Sequence, residues 1–218
     1  MVAGAAPGVN PFVTDEPVAR IIDMAFTVVG GALPRDHRRE LAAAIGLALP
    51  WWVALEGAGM HRLNVAAGAG PLALLSNRTR LTLRVPRERA ADAAALEGAT
   101  LRVGPSTLRV GAPQARELRP YSTVYAHLVA ADDEAGEADE MAFLGAVAAE
   151  LSALGVTCRS ICGRRQVVEA GALQGYSLML DGLNAEGALR VLEAGIGRHR
   201  RWGCGIFVPH KSAVAVGA

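Results

Sequence analysis

The sequence predicts an α+β chain built from two copies of one unit, each running strand, helix, strand, strand, helix, strand. Three observations point that way. Apolar residues switch between a two-residue and a 3.6-residue period in the same order on both sides of residues 113–120. The 218 residues suit two units of about 100 residues each. A hydrophobic fraction of 51% is enough to fill two cores, although much of it is alanine.

The elements follow in order. RIIDMAFTVV (20–29) alternates as a strand, and GGALPRD turns the chain. A helix starts at Asp36, a candidate N-cap, with Leu41, Ile45, Ala48 and Leu49 on one face until Pro50 ends it. MHRLNV (60–65) is a short strand. NRTRLTLRV (77–85) is a clearer one, with Leu81, Leu83 and Val85 facing one way and Arg78, Arg80, Thr82 and Arg84 the other. A weak alanine-rich helix spans 86–96, and residues 100–111 form a strand or hairpin. These make a first domain over 19–112, and PQARELRP (113–120) reads as a linker.

The order then recurs over 121–211. YSTVYAHLVA (121–130) is a strand. Residues 140–155 are a helix with Met141, Leu144, Ala148, Leu151 and Leu154 in line. Residues 156–183 hold two strands, with a turn expected at 163–166. A helix capped by Asn184 runs to Ala194, and CGIFVP (204–209) is the last strand. The architecture is a tandem ferredoxin-like, or RRM-like, fold.

Charge is small in sum but uneven in place. The net charge is +1, yet the segment ADDEAGEADE (131–140) holds six carboxylates and no base. The rest of the chain therefore carries a surplus of seven positive charges, and its bases are arginines except Lys211. A GC-rich genome explains most of that bias, but arginine is also the better planar donor to phosphate. The acidic run reads as a solvated loop. Cys158, Cys162 and Cys204 make no disulfide framework and suggest a reducing compartment. Their spacing is not that of a zinc knuckle, so neither metal nor cofactor is expected. The N-terminus lacks a basic signal region, and the longest apolar run, 41–55, is broken by Pro50 and too short for a bilayer. A cytoplasmic, membrane-free protein is expected, with frayed ends at 1–18 and 212–218.

GIGRHRRWGCG (195–205) joins the last helix to the last strand. Gly195, Gly197, Gly203 and Gly205 fit G-h-G-x5-G-h-G, with Arg198, His199, Arg200, Arg201 and Trp202 inside. Bare backbone beside cationic side chains makes a concave anion site. It is not a phosphate loop of the nucleotide type, because no GK[ST] is present and the loop leads into a strand. A polymeric phosphate fits better, with Trp202 available to stack on a base.

Tandem ferredoxin-like units with this loop before the terminal strand resemble the RAMP superfamily of CRISPR-associated RNA-binding proteins. LPRDHRRELAAAIGLALP (33–50), GMHRLNV (59–65), LRPYSTVYAHLV (118–129) and GRHRRWGCGIFVP (197–209) are similar to the sixth Cas family, the repeat-RNA endoribonucleases, in its myxan-type branch. The resemblance spans about residues 20–210. It implies cleavage of a precursor transcript without metal: the ribose 2′-OH attacks the adjacent phosphate and leaves a 2′,3′-cyclic phosphate and a 5′-OH. It also implies a hairpin repeat RNA as partner and a place among other Cas proteins in a type I interference complex.

That chemistry needs a base, an acid and cationic support for the phosphorane. His37, in the first turn of the first helix, matches the family's catalytic histidine. A helix N-terminus and the neighbouring Arg35, Arg38 and Arg39 disfavour imidazolium and attract phosphate. His61 is the second catalytic candidate, with a packed core histidine as its plainer reading. His127 alternates with Tyr125 and reads as structural. Arg164 and Arg165, at the expected turn, join the loop arginines and the 78–84 face as RNA contacts. Family members often pair histidine with lysine and tyrosine; here Lys211 is the one lysine and no tyrosine neighbours His37, so the general acid is open. Two other readings stay open: a non-catalytic RNA-binding subunit of the superfamily, and a ligand-binding tandem ferredoxin-like protein.

Overall fold

A computed structural model of the chain describes residues 19–131 and 139–210. The expected frayed ends, Lys211 and most of the acidic run lie outside the described residues.

The first unit is a five-stranded antiparallel sheet ordered β3-β6-β1-β8-β7. It comprises β1 (Ile21–Val29), β3 (Gly59–Met60), β6 (Arg80–Pro86), β7 (Thr100–Val103) and β8 (Ser106–Glu117). Helices α1 (Arg38–Ala48), α2 (Pro50–Ala54) and α3 (Ala90–Ala94) belong to this unit. Three short strands, β2 (Ala32–Pro34), β4 (Ala66–Ala67) and β5 (Leu72–Leu74), form a small sheet beside it. Phe26, Leu81, Leu83 and Val85 are fully buried and form one core with Leu41 and Ile45 of α1. Each such side chain contributes about 1.5–3 kcal/mol by leaving water.

The second unit is a four-stranded sheet ordered β10-β11-β9-β12. It contains β9 (Thr123–Ala130), α4 (Glu140–Ala153), β10 (Arg159–Val168), β11 (Leu173–Asp181), α5 (Ala185–Ala194) and β12 (Val208–Pro209). Asn184 caps α5 as its residue type predicts, accepting from the Gly187 N–H at 2.7 Å. With β7 set aside as an extra hairpin partner, the two sheets share one strand order, which is the tandem ferredoxin-like fold. No described helix is long and apolar enough to cross a membrane.

Several local expectations change. The strand expected at 60–65 pairs only over Gly59–Met60. The linker is shorter than 113–120, because β8 pairs with β1 as far as Glu117. The turn expected at 163–166 lies inside β10, where the register slips by one residue between Cys162 and Arg165; the hairpin turns at 169–172 instead. Helix α4 buries Phe143, Val147 and Leu151, while Met141 is 74% exposed, so its inner face is rotated from the expected one. Asp36 does not cap α1. His37 stands at the N-cap position, and the Asp36 carboxylate reaches instead to the N–H groups of Glu169 and Ala170, both at 3.0 Å.

The largest change concerns the arginine face of β6. Arg84 is 1% exposed. Its Nε and Nη2 donate to the two oxygens of Asp23 at 2.8 and 2.9 Å, and its Nη1 donates to the Leu192 and Phe207 carbonyls, both at 2.9 Å. Leu192 and Phe207 belong to the second unit. The face expected to meet RNA at Arg84 is therefore the seam between the units.

Candidate active site

His37 sits where β2 gives way to α1. Pro34 cannot continue a helix inward, and the chain turns at 35–36 before the first helical residue, Arg38. The imidazole folds back so that Nδ1 lies 2.8 Å from the Pro34 carbonyl. A carbonyl only accepts, so Nδ1 donates and the neutral ring carries its proton there, leaving the Nε2 lone pair for chemistry. Burial pushes the His37 pKa below its ordinary value, and the nearby Arg38 charge acts in the same direction. The Pro34 carbonyl and the Glu169 carboxylate oppose them. The net result is a neutral imidazole near pH 7.

His37 lines a cavity of about 340 Å³ between the two units. Arg35, Arg62 and Gln166 line the same cavity. Arg62 is exposed and its Nη1 lies 3.4 Å from Nδ1 of His127. Gln166 donates from its side-chain amide to the His127 carbonyl. His127 thus borders the cavity wall, which the sequence did not suggest. The cause is a β-bulge: Leu178 pairs with Ala126 and Tyr176 with Val129, so β9 carries one extra residue at 127–128. His127 is exposed, while Leu128 is buried against Cys204 and Leu173. Partial burial lowers the His127 pKa, and the charges of Arg62, Arg38 and His210 add to that.

His61 goes elsewhere. Its neighbours Met60 and Arg62 line the cavity, but its Nε2 lies 3.0 Å from Asp23 Oδ2, in the seam. Burial opposes ionisation of Asp23, yet the hydrogen bonds from Arg84 and the His61 ring 3.0 Å away hold its carboxyl well below the usual carboxylate range. His61 itself is kept neutral by burial, with Asp23 opposing. The two candidate histidines are not brought together.

The glycine-rich loop is closed rather than open. All four motif glycines have positive φ, from 63 to 76°. A Cβ on Gly205 would stand 2.0 Å from the Ile196 carbonyl oxygen, and one on Gly195 would stand 2.5 Å from the Gly205 carbonyl oxygen. The glycines let the two arms of the loop touch, a close approach that no other residue permits. The N–H groups are largely taken: Gly205 donates to Leu128 at 2.8 Å, and Gly197 to the Glu150 carboxylate at 2.8 Å. Arg38 is buried and donates to the Trp202 and Gly203 carbonyls at 3.0 and 3.3 Å, so it fastens the loop to α1. Arg200 is partly buried and donates to the Glu193 carbonyl at 2.9 Å; burial lowers its pKa to about 10. Trp202 stacks on His199 at 4.3 Å, and the Arg39 guanidinium lies 5.0 Å over its ring. The tryptophan expected to hold a base already has these partners.

The remaining RNA-contact candidates divide by exposure. Arg35, Arg39, Arg164, Arg165, Arg198 and His199 are exposed, and Arg165 donates to the Gln174 side chain at 3.0 Å. Arg201 is half-buried in a wider hollow of about 740 Å³ that it shares with Arg39 and the acids Asp36, Glu40 and Glu169. Acids outnumber arginines there, which makes that hollow a poorer phosphate site than the cavity at His37, where Arg35, Arg38 and Arg62 outnumber Asp36.

Two ferredoxin-like units clasped by a terminal glycine loop hold a neutral histidine among arginines between them. Comparison with known proteins places the chain. Residues 22–212 match the family described as Cas6 Crispr. A CRISPR-associated endonuclease Cas6 of Myxococcus xanthus (strain DK1622) is 35% identical over 197 residues, covering 89% of this chain and 84% of that one. A Cas6-related protein of Pyrococcus furiosus superposes with a TM-score of 0.64 at 15% identity, over 86% of this chain and 98% of that one. A RAMP protein that binds different RNA substrates superposes at 0.60 and 14% identity, over 85% and 98%. The last two likenesses speak for the fold. The chain belongs to the Cas6 family, and it is a CRISPR-associated endoribonuclease.

Proposed function

We propose that this endoribonuclease cuts CRISPR repeat RNA without metal, with His37 as the base. His37 Nε2 takes the proton of the ribose 2′-OH. The freed oxygen attacks the adjacent phosphorus, the bond to the 5′-oxygen breaks, and a 2′,3′-cyclic phosphate and a 5′-OH remain. Arg62 and Arg35, on the same cavity wall, neutralise the charge that grows on the phosphorane oxygens. The leaving 5′-oxygen needs a proton, and arginine cannot give one. His127 is the titratable group next to Arg62 and fills that role. In the free protein its imidazolium is disfavoured; a bound phosphate adds negative charge and reverses that balance.

The observation that carries the reading is the Nδ1 contact of His37 with the Pro34 carbonyl, which leaves Nε2 unprotonated on a ring that lines a cationic cavity. The repeat is taken as a hairpin, read by shape and charge through exposed arginines such as Arg164, Arg165 and Arg198. Cleavage occurs in the cytoplasm, and the product stays bound while other Cas proteins assemble a type I interference complex on it.

The test is incubation of the purified protein with its own genome's repeat RNA in EDTA. The reading expects a single cut and a cyclic-phosphate end. Cleavage that stops in chelator, or a product ending in 3′-OH, overturns it. A retained gel shift with no cut would favour the non-catalytic RNA-binding subunit.

A further inference from the structure

Helix α1 begins without a side chain of its own to close it. His37, at the N-cap position, makes no capping hydrogen bond, because its ring is turned back to Pro34. The N–H of Arg38 is then one of the orphan donors of a helix start. It is satisfied from the other unit: Glu169 Oε1 accepts it at 2.9 Å, across 131 residues of sequence. The favour is returned by Asp36, whose two oxygens accept the N–H groups of Glu169 and Ala170 at 3.0 Å each. Within one helix this exchange would be a capping box, in which two side chains each satisfy the other's backbone. Here the two halves come from different units.

The turn that supplies Glu169 is itself unusual. Glu169 and Ala170 have φ of 54 and 52°, in the left-handed region that side chains disfavour. Such a conformation persists only where the surroundings hold it. The Asp36 carboxylate, bonded to both N–H groups, is what holds it. Glu169 is 9% exposed, so its carboxylate is committed to this contact.

We propose that Asp36 and Glu169 are positioning residues for His37: a reciprocal cap between the two units that fixes the start of α1, and with it the imidazole, against the cavity wall. The proposal rests on His37 acting as the base. It also changes where phosphate goes. The first turn of α1 attracts anions, but Glu169 already occupies it, so the scissile phosphate is directed to Arg62 and Arg35 instead.

Glu169 has a second effect. The charged groups around the ring are Arg35 and Arg38 beside it, Arg62 across the cavity, Asp36 in the preceding turn, and Glu169 from the β10–β11 turn. Burial and Arg38 push the His37 pKa down, and Glu169 pushes it up. A base works in its neutral form, so the rate falls as pH drops through the His37 pKa. Removing the Glu169 charge lowers that pKa and moves the acid limb of the rate profile to lower pH.

The experiment compares E169Q, E169A and D36A with the wild type by single-turnover cleavage of repeat RNA across pH. Affinity is measured with an RNA carrying 2′-deoxy at the cut site, and the His37 ring is titrated by NMR without RNA. Glutamine keeps the accepting oxygen and loses the charge. E169Q should cleave within a few-fold of wild type at neutral pH, with its acid limb and its NMR midpoint both shifted down. E169A and D36A should slow cleavage by about tenfold to a hundredfold, the cost of a small misplacement of a reacting group. Their affinity for uncut RNA should stay within a few-fold. An unshifted His37 midpoint in E169Q, or E169A and D36A as fast as wild type, overturns the proposal. If the wild type itself does not cut, the base assignment fails, and the NMR midpoint still reports on the cap.

Discussion

His61 and Arg62 are neighbours in sequence but belong to different regions of the molecule. His61 enters the seam, where its ring stands 3.0 Å from Asp23 and Arg84 is bonded to Asp23 and to the carbonyls of Leu192 and Phe207. Arg62 enters the cavity, where it is exposed beside His127 and shares a wall with His37. Both regions lie between the same two units, and both hold histidine and arginine. They differ in what the second unit brings. To the seam it brings carbonyls fixed at hydrogen-bond distance; to the cavity it brings a bulged strand that leaves space. A charged side chain near a domain boundary is thus structural or functional according to whether the opposite surface completes it.

The comparison breaks most visibly at Arg84. Arg84→Ala removes one partner of a buried ion pair and strands Asp23, which costs about 3–5 kcal/mol. Thermal unfolding should show a large fall in Tm. An unchanged Tm would mean that the seam does not hold the units together.

The matching change on the cavity side acts on rate. Arg62→Ala should leave Tm in place and slow cleavage by about a hundredfold, the usual effect of losing one donor to a developing oxyanion. Equal loss of stability and rate would erase the distinction between the regions.

The smallest effect is expected outside both. Arg164 and Arg165 are exposed on β10. Arg164→Ala with Arg165→Ala should weaken RNA binding evenly and flatten the slope of log affinity against log salt by about one for each phosphate no longer neutralised. The rate of the bound complex should not change. An unaltered salt slope removes these residues from the RNA path.

Much of this was legible in the sequence because it is local. Period-two and helical patterns marked β1, α1, β6 and α5, and the residue type of Asn184 marked a cap that formed. His37 was legible as a residue at a helix start. What was not legible depended on partners far away in the chain. Alternation showed that Thr82 and Arg84 share a face of β6, but not that the second unit covers it. Asp36 looked like a cap because caps are usually local, yet its carboxylate serves Glu169 and Ala170. Gly163, Arg164 and Arg165 looked like a turn because a glycine beside exposed charges marks turns and bulges alike. A second bulge sets His127 against Arg62 and Gln166 of the cavity wall, whereas strict alternation assigns it to structure. The four glycines of the loop stand out in the sequence, but their purpose is contact between backbone arms, with Glu150 already on one N–H.

The most direct measurement sets His37→Ala beside His61→Ala, with repeat-RNA cleavage in EDTA and thermal unfolding recorded for both. His37→Ala should lose about a hundredfold or more in cleavage rate, as for a missing general base, while its Tm and RNA affinity hold. His61→Ala should lose about 1–3 kcal/mol of stability through a less well satisfied Asp23 and still cut at a rate near wild type. If His37→Ala cuts normally, or if His61→Ala is the variant that folds well and fails to cut, the cavity is not the active site.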